Sequence, residues 1–113
     1  MCGIIGISSN KSVSANIINS LKKLEYRGYD SAGVATLFDG EINEVKSEGR
    51  VDNLEQNFDL KSLKGNIGIG HVRWATHGVP NSINAHPHSS DNVSVVHNGI
   101  IENSTILKKH LIN

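Results

Sequence analysis

The chain has 113 residues, 37% of them hydrophobic, and its eleven Lys and Arg are balanced by eleven Asp and Glu. Zero net charge supplies no field to draw nucleic acid or an anionic membrane, so neither is expected as a partner. No window approaches about 18 continuous apolar residues, no basic stretch leads into an apolar run, and the lone Cys2 cannot close an internal disulfide; the expectation is a soluble cytoplasmic protein.

A chain of this size is at most one domain, and surface-to-volume scaling lets it bury only roughly two thirds of what its unfolded form exposes. Residues 2–8 form a short apolar run that reads as a buried strand at the N-terminus. A helix capped by Ser12 or Ser14 follows, with Val13, Ile17, Leu21 and Leu24 on one stripe, and ends before Gly28. Residues 31–38 are strand-like, Asp39-Gly40 is a hairpin signal, and 41–47 read as the return strand. A short helix over 51–58 leads to a strand in 65–76, in which Ile67, Ile69, His71 and Arg73 share one face and Gly68, Gly70, Val72 and Trp74 the other. Residues 76–92 lack periodicity and read as a loop. A strand over 93–97 then stops at Asn98-Gly99, and a helix over 103–112 closes the sequence. Antiparallel strands flanked by helices predict an α+β layer structure.

Chemistry concentrates in two places. Cys2 sits directly behind the initiator methionine, and a thiol with an ordinary pKa of about 8.5 needs a base to act as a nucleophile near neutrality. An α-amino group titrates close to neutral pH, so trimming Met1 would leave nucleophile and amine on one residue. The competing reading is a small buried hydrophobe that happens to be cysteine. Attack by sulfur on a carbonyl also needs oxyanion donors, and Asn98-Gly99 offers a side-chain amide beside a backbone N–H; an ordinary turn is the alternative. Arg73 presents a planar fork for a carboxylate, or else an internal salt bridge. The second concentration is histidine: His71, His77, His86, His88 and His97 all fall between residues 71 and 97. A metal-binding module built on them is the rival from a different class, although the spacing is poor for a four-ligand zinc site and no second cysteine is present.

Five stretches in register, CGIIG (2–6), LEYRGYDSAG (24–33), GHVRWATHG (70–78), NAHPH (84–88) and VVHNGIIEN (95–103), resemble the glutaminase domain of the N-terminal-nucleophile (class II) glutamine amidotransferases, across nearly the whole chain. Tyr26-Arg27-Gly28-Tyr29 and Arg73-Trp74-Ala75-Thr76 depart from the motifs of the phosphoribosyl branch, and RWATHG and AHPH from those of asparagine synthetases, so the sugar-phosphate branch is preferred. The resemblance implies a four-layer αββα sandwich of antiparallel sheets, of which residues 2–113 are the N-terminal part, with the rest of the domain and a sugar-isomerising portion outside this sequence. It implies Cys2 as nucleophile, Asn98 and Gly99 as the oxyanion hole, and Arg73 on the α-carboxylate of glutamine. Trp74, Thr76, His77 and His86 would line or close the pocket, with Arg27 and Gly28 near the nucleophile. It further implies no metal or organic cofactor, ammonia delivered to fructose 6-phosphate on the other portion to form glucosamine 6-phosphate, and a homo-oligomeric full-length enzyme. A neighbouring acceptor such as phosphoribosyl pyrophosphate is the alternative. The acidic residue that the family uses on the α-amino group lies beyond residue 113, so these residues alone are expected to be inactive and, with Ile106, Leu107, Leu111 and Ile112 uncovered, to fold poorly.

Overall fold

The computed structural model describes residues 2–74 and 81–112. Among them the order is β1 (Gly3–Ser8), α1 (Ser14–Leu24), β2 (Ser31–Phe38), β3 (Glu41–Glu48), α2 (Asp52–Asn57), β4 (Ile67–Arg73), β5 (His88–Ser90), β6 (Val93–Val95) and α3 (Ser104–Ile112), with 3-10 turns at Glu25–Arg27 and Leu60–Ser62. The first four strands by position form one antiparallel sheet, ordered β1-β4-β2-β3, and β5 and β6 form a separate two-stranded ribbon.

The period-2 pattern of β4 decides what each sheet face does. In register, Gly3, Val72, Ala32 and Ser47 form one cross-strand row, and Ile5, Gly70, Val34 and Val45 the next on the same face. This face takes α1, whose Ile17 and Leu21 are fully buried against Val34 and Val72 in a cluster that Val13, Val51 and Leu54 complete. Burying each such side chain stabilises by about 1.5–3 kcal/mol. The helix approaches closely because β4 has glycine beneath it: a Cβ at Gly70 would lie 2.6 Å from Ile17 Cγ2, and one at Gly68 2.6 Å from Ile17 Cδ1. The helical stripe is thus matched to a groove of missing side chains.

The opposite face carries the rows Ile4, His71, Gly33, Lys46 and Gly6, Ile69, Ala35, Glu44. Here the segment leading into β5 lies against the sheet, with the His86 carbonyl oxygen where a Gly33 Cβ would be, 2.1 Å from that position. Ser89 reaches Glu44 of β3 by a hydroxyl-to-carboxylate hydrogen bond, which ties the ribbon over this face.

Four readings from the sequence are corrected. β1 is a sheet edge and not a doubly buried strand: Ile5 and Ile7 pack against the core, whereas Ile4 and Gly6 on the other face are exposed. Neither Ser12 nor Ser14 caps α1; Val13 holds the N-cap position, and the Ser14 hydroxyl donates to the Leu60 carbonyl at 3.4 Å. β5 lies inside the stretch read as loop, and the strand expected over 93–97 ends at Val95, because the ribbon is only three residue pairs long. The hairpin at Asp39-Gly40 agrees with its reading, both residues having the positive φ, 51° and 76°, of a tight two-residue turn. α3 buries none of its residues, and Ile106, Leu111 and Ile112 are each more than two thirds exposed, at 71%, 84% and 72%.

Candidate active site

The chemistry-bearing residues converge on the face of the sheet that α1 leaves free. Cys2 immediately precedes β1, and one further step of the register Gly3↔Val72 sets it opposite Arg73. Its Sγ accepts a hydrogen bond from the Trp74 backbone N–H at 3.2 Å, and the thiol lies 3.6 Å from the Trp74 carbonyl oxygen. The sulfur is therefore held by main chain, at the open end of a strand, and is only partly covered.

Arg73 is the last residue of β4 and is 7% exposed. Its backbone is fixed from the β2 side, by the pairing with Ser31 and by the Asp30 N–H, which donates to its carbonyl at 2.7 Å. The indole of Trp74 covers Gly28: a Cβ there would sit 2.6 Å from Trp74 Cε3, and Gly28 adopts φ 115°, which glycine tolerates and other residues rarely do. Gly28 accordingly packs against the side chain of the residue whose amide meets the sulfur. The side chain of Arg27 and all of Thr76 and His77 lie outside the described residues.

Two steps along β4 from Arg73, His71 is fully buried and bonds through Nε2 to Asn98 Oδ1 at 2.7 Å. This brings Asn98, which stands in exposed, irregular chain after β6, over the row of Ile4, roughly 7 Å along the strand from Cys2. Gly99 follows with φ 134°, a conformation suited to a backbone N–H turned away from regular pairing. His86 stacks on His71 with centroids 4.4 Å apart and planes at 30°, and His88 tilts against His86 at 4.5 Å. The structure thus gathers Cys2, Arg73, His86, Asn98 and Gly99 at one end of one face, whereas the Trp74 indole and Gly28 pack together on the α1 side, beside Lys22, Glu25 and Arg50. It adds His71, which sequence reasoning placed on that face and weighed only as a metal ligand. Among the described residues, no group of three or more His, Cys, Asp or Glu side chains is placed to hold a metal ion.

Burial holds the His86 imidazole down from 6.5 to about 4, helped by the neighbouring His71, His88 and Arg73. Burial also lowers His71, against the opposing pull of its Asn98 bond. Both rings are neutral in the folded protein at pH 7, whereas an unfolded chain takes up protons near pH 6.5. Local stability is therefore fully present above that pH and is lost as pH falls from about 6.5 to about 4. Hydrogen–deuterium exchange, corrected for its intrinsic pH dependence, should show protection of β4 and residues 84–88 falling across this window. His86→Phe should flatten the loss; equal acid sensitivity with and without the imidazole would contradict the assignment.

No protein-family model matches the chain. Among curated proteins, it is 57% identical over 112 residues to glutamine–fructose-6-phosphate aminotransferase (isomerizing) of Mesorhizobium japonicum, covering 99% of the chain and 18% of that protein. It is 59% identical over 113 residues to the protein of the same name from Clostridium acetobutylicum, covering 98% of the chain and 19% of that protein. The chain thus spans about a fifth of the length of the curated relatives it matches. Among solved structures, glutamine phosphoribosylpyrophosphate amidotransferase from B. subtilis, complexed with ADP and GMP, superposes with a TM-score of 0.82 at 29% identity, over 99% of this chain and 25% of that one. An allosteric regulatory enzyme of purine biosynthesis superposes with a TM-score of 0.84 at 30% identity, over the same shares. Within the described residues, no helix is long and apolar enough to cross a membrane. With that density of identity laid over a matching α+β antiparallel fold, the chain belongs to the N-terminal-nucleophile glutamine amidotransferases and corresponds to the N-terminal part of the glutamine–fructose-6-phosphate aminotransferases.

Proposed function

We propose that residues 2–113 form the N-terminal part of a glutaminase unit that cleaves the side-chain amide of glutamine and supplies ammonia for the conversion of fructose 6-phosphate to glucosamine 6-phosphate on another portion of the polypeptide. The observation that carries this reading is the placement of Cys2: a partly exposed sulfur, aimed by the Trp74 amide, on the face that also holds Arg73 and Asn98.

In this mechanism the α-amine freed by loss of Met1 takes the thiol proton, and Cys2 Sγ attacks the amide carbon of glutamine. The carbonyl oxygen becomes an oxyanion, met by Asn98 Nδ2 and the Gly99 N–H. Collapse breaks the C–N bond, the α-ammonium returns its proton to the leaving nitrogen, and ammonia departs from a γ-glutamyl thioester. Water, deprotonated by the same amine, hydrolyses the thioester to glutamate and regenerates the thiol. Arg73 grips the substrate α-carboxylate with its guanidinium fork, and His86 contributes to the pocket wall. Fructose 6-phosphate is favoured over phosphoribosyl pyrophosphate as acceptor by the higher identity to the aminotransferases that act on it.

Blocking the amine tests the central step. With Met1 retained, confirmed by mass spectrometry of the N-terminus, the full-length polypeptide is expected to lose glutamine hydrolysis. Hydrolysis at the parental rate with an amide nitrogen on Cys2 would overturn the role given to the amine.

A further inference from the structure

We infer that His71 is a positioning residue for the amide-cleavage reaction: its Nε2–H donates to Asn98 Oδ1 and so turns the carboxamide to present Nδ2 toward the developing oxyanion. The inference rests on the reading of Asn98 as an oxyanion donor.

Asn98 cannot set its own orientation. A carboxamide has a donor edge and an acceptor edge of nearly equal shape, and rotation by about 180° exchanges them. Asn98 lies in exposed chain after β6, so whichever fixed group it meets decides which edge faces the substrate. That group is His71, and it is fixed as firmly as any residue in the fold. It occupies an interior strand, paired on one side with Ile4 and on the other with Gly33, and its side chain is fully buried. The ring of His86 covers it at 4.4 Å.

The proton on the imidazole follows from the same surroundings. Nε2 has an acceptor at 2.7 Å, whereas Nδ1 is buried with no hydrogen-bond partner among the described residues. A buried N–H without an acceptor is rarer and more costly than a bare lone pair, so the neutral ring carries its hydrogen on Nε2. An Nε2–H can meet only the oxygen of the carboxamide, which leaves both N–H bonds of Asn98 on the opposite edge. The ring thereby reaches the reacting atoms through Asn98 and touches none of them itself.

The test uses the full-length polypeptide and compares His71→Phe, His71→Gln, Asn98→Ala and the His71→Phe/Asn98→Ala double variant. His71→Phe is expected to lower kcat for glutamine hydrolysis about 10- to 100-fold, somewhat less than outright removal of an oxyanion donor. Its KM should stay within about twofold, since the interaction acts on the transition state. Alkylation of Cys2 by iodoacetamide, a displacement at saturated carbon that forms no oxyanion, should proceed at the parental rate. His71→Gln, which can offer an amide N–H from nearly the same point, should recover most of kcat, and the double variant should be no slower than Asn98→Ala alone. The inference is overturned if His71→Phe keeps full kcat while Asn98→Ala is impaired, if alkylation falls in step with kcat, or if the two substitutions multiply. Full kcat in Asn98→Ala would instead remove the oxyanion reading beneath it.

Discussion

In the full-length polypeptide, Cys2→Ala is expected to lower glutamine hydrolysis by about 10³-fold or more, the scale on which removing the nucleophile disables an acyl-transfer enzyme. The loss should be one of chemistry and not of folding. Cys2 precedes the first strand, is partly exposed and takes no part in the buried cluster of Val13, Ile17, Leu21 and Leu54. Deleting its sulfur removes the contact with the Trp74 amide and leaves α1 on its glycine groove untouched. Stability should accordingly change by no more than about 0.5 kcal/mol, as for other substitutions outside a core. Ammonia release under saturating glutamine, with circular dichroism alongside, measures both; substantial turnover without the sulfur would exclude a thioester route.

Gly33→Ala is expected to destabilise the site end of the protein by about 1–3 kcal/mol, because the added methyl has nowhere to go. Its carbon would fall 2.1 Å from the His86 carbonyl oxygen and 3.0 Å from Lys46 Cγ. The lysine side chain can swing aside, but the carbonyl is main chain. The segment carrying His86 must then lift off the sheet, which unstacks His86 from His71 and uncovers the bond to Asn98. A control exists on the same face. At Gly6 the nearest atom to an added Cβ is Ile69 Cγ2 at 3.9 Å, so Gly6→Ala should be tolerated within about 0.5 kcal/mol. Unfolding measurements on the pair compare the two glycines directly; equal tolerance at both positions would mean that the 84–88 segment does not press on β2 as described.

The parts of the fold that were legible in the sequence are those governed by short-range periodicity. Alternation along residues 67–73 separated a packing face from a site face, and helical spacing from Val13 to Leu24 identified the stripe that covers the first. Asp39-Gly40 announced its hairpin because only residues tolerant of positive φ suit that turn. β5 was hidden because three residues of His-Ser-Ser carry no alternation of hydrophobicity to betray a strand. The edge position of β1 was hidden for a different reason: an apolar run looks alike whether one or both faces are covered, and pairing order is a property of the whole sheet. At the site, Cys2, Arg73 and Asn98-Gly99 were nameable from residue chemistry. The tie between His71 and Asn98 joins residues 27 apart through a chain reversal that no local pattern encodes. The grouping of His71 with Arg73 on one strand face was the single signal that pointed toward it.

The donor that steadies the sulfur is a peptide N–H, which every residue except proline supplies alike. The aim of the sulfur is consequently indifferent to which side chain stands at position 74. Evolution is free to alter the ring that packs on Gly28 without disturbing the contact that the main chain makes.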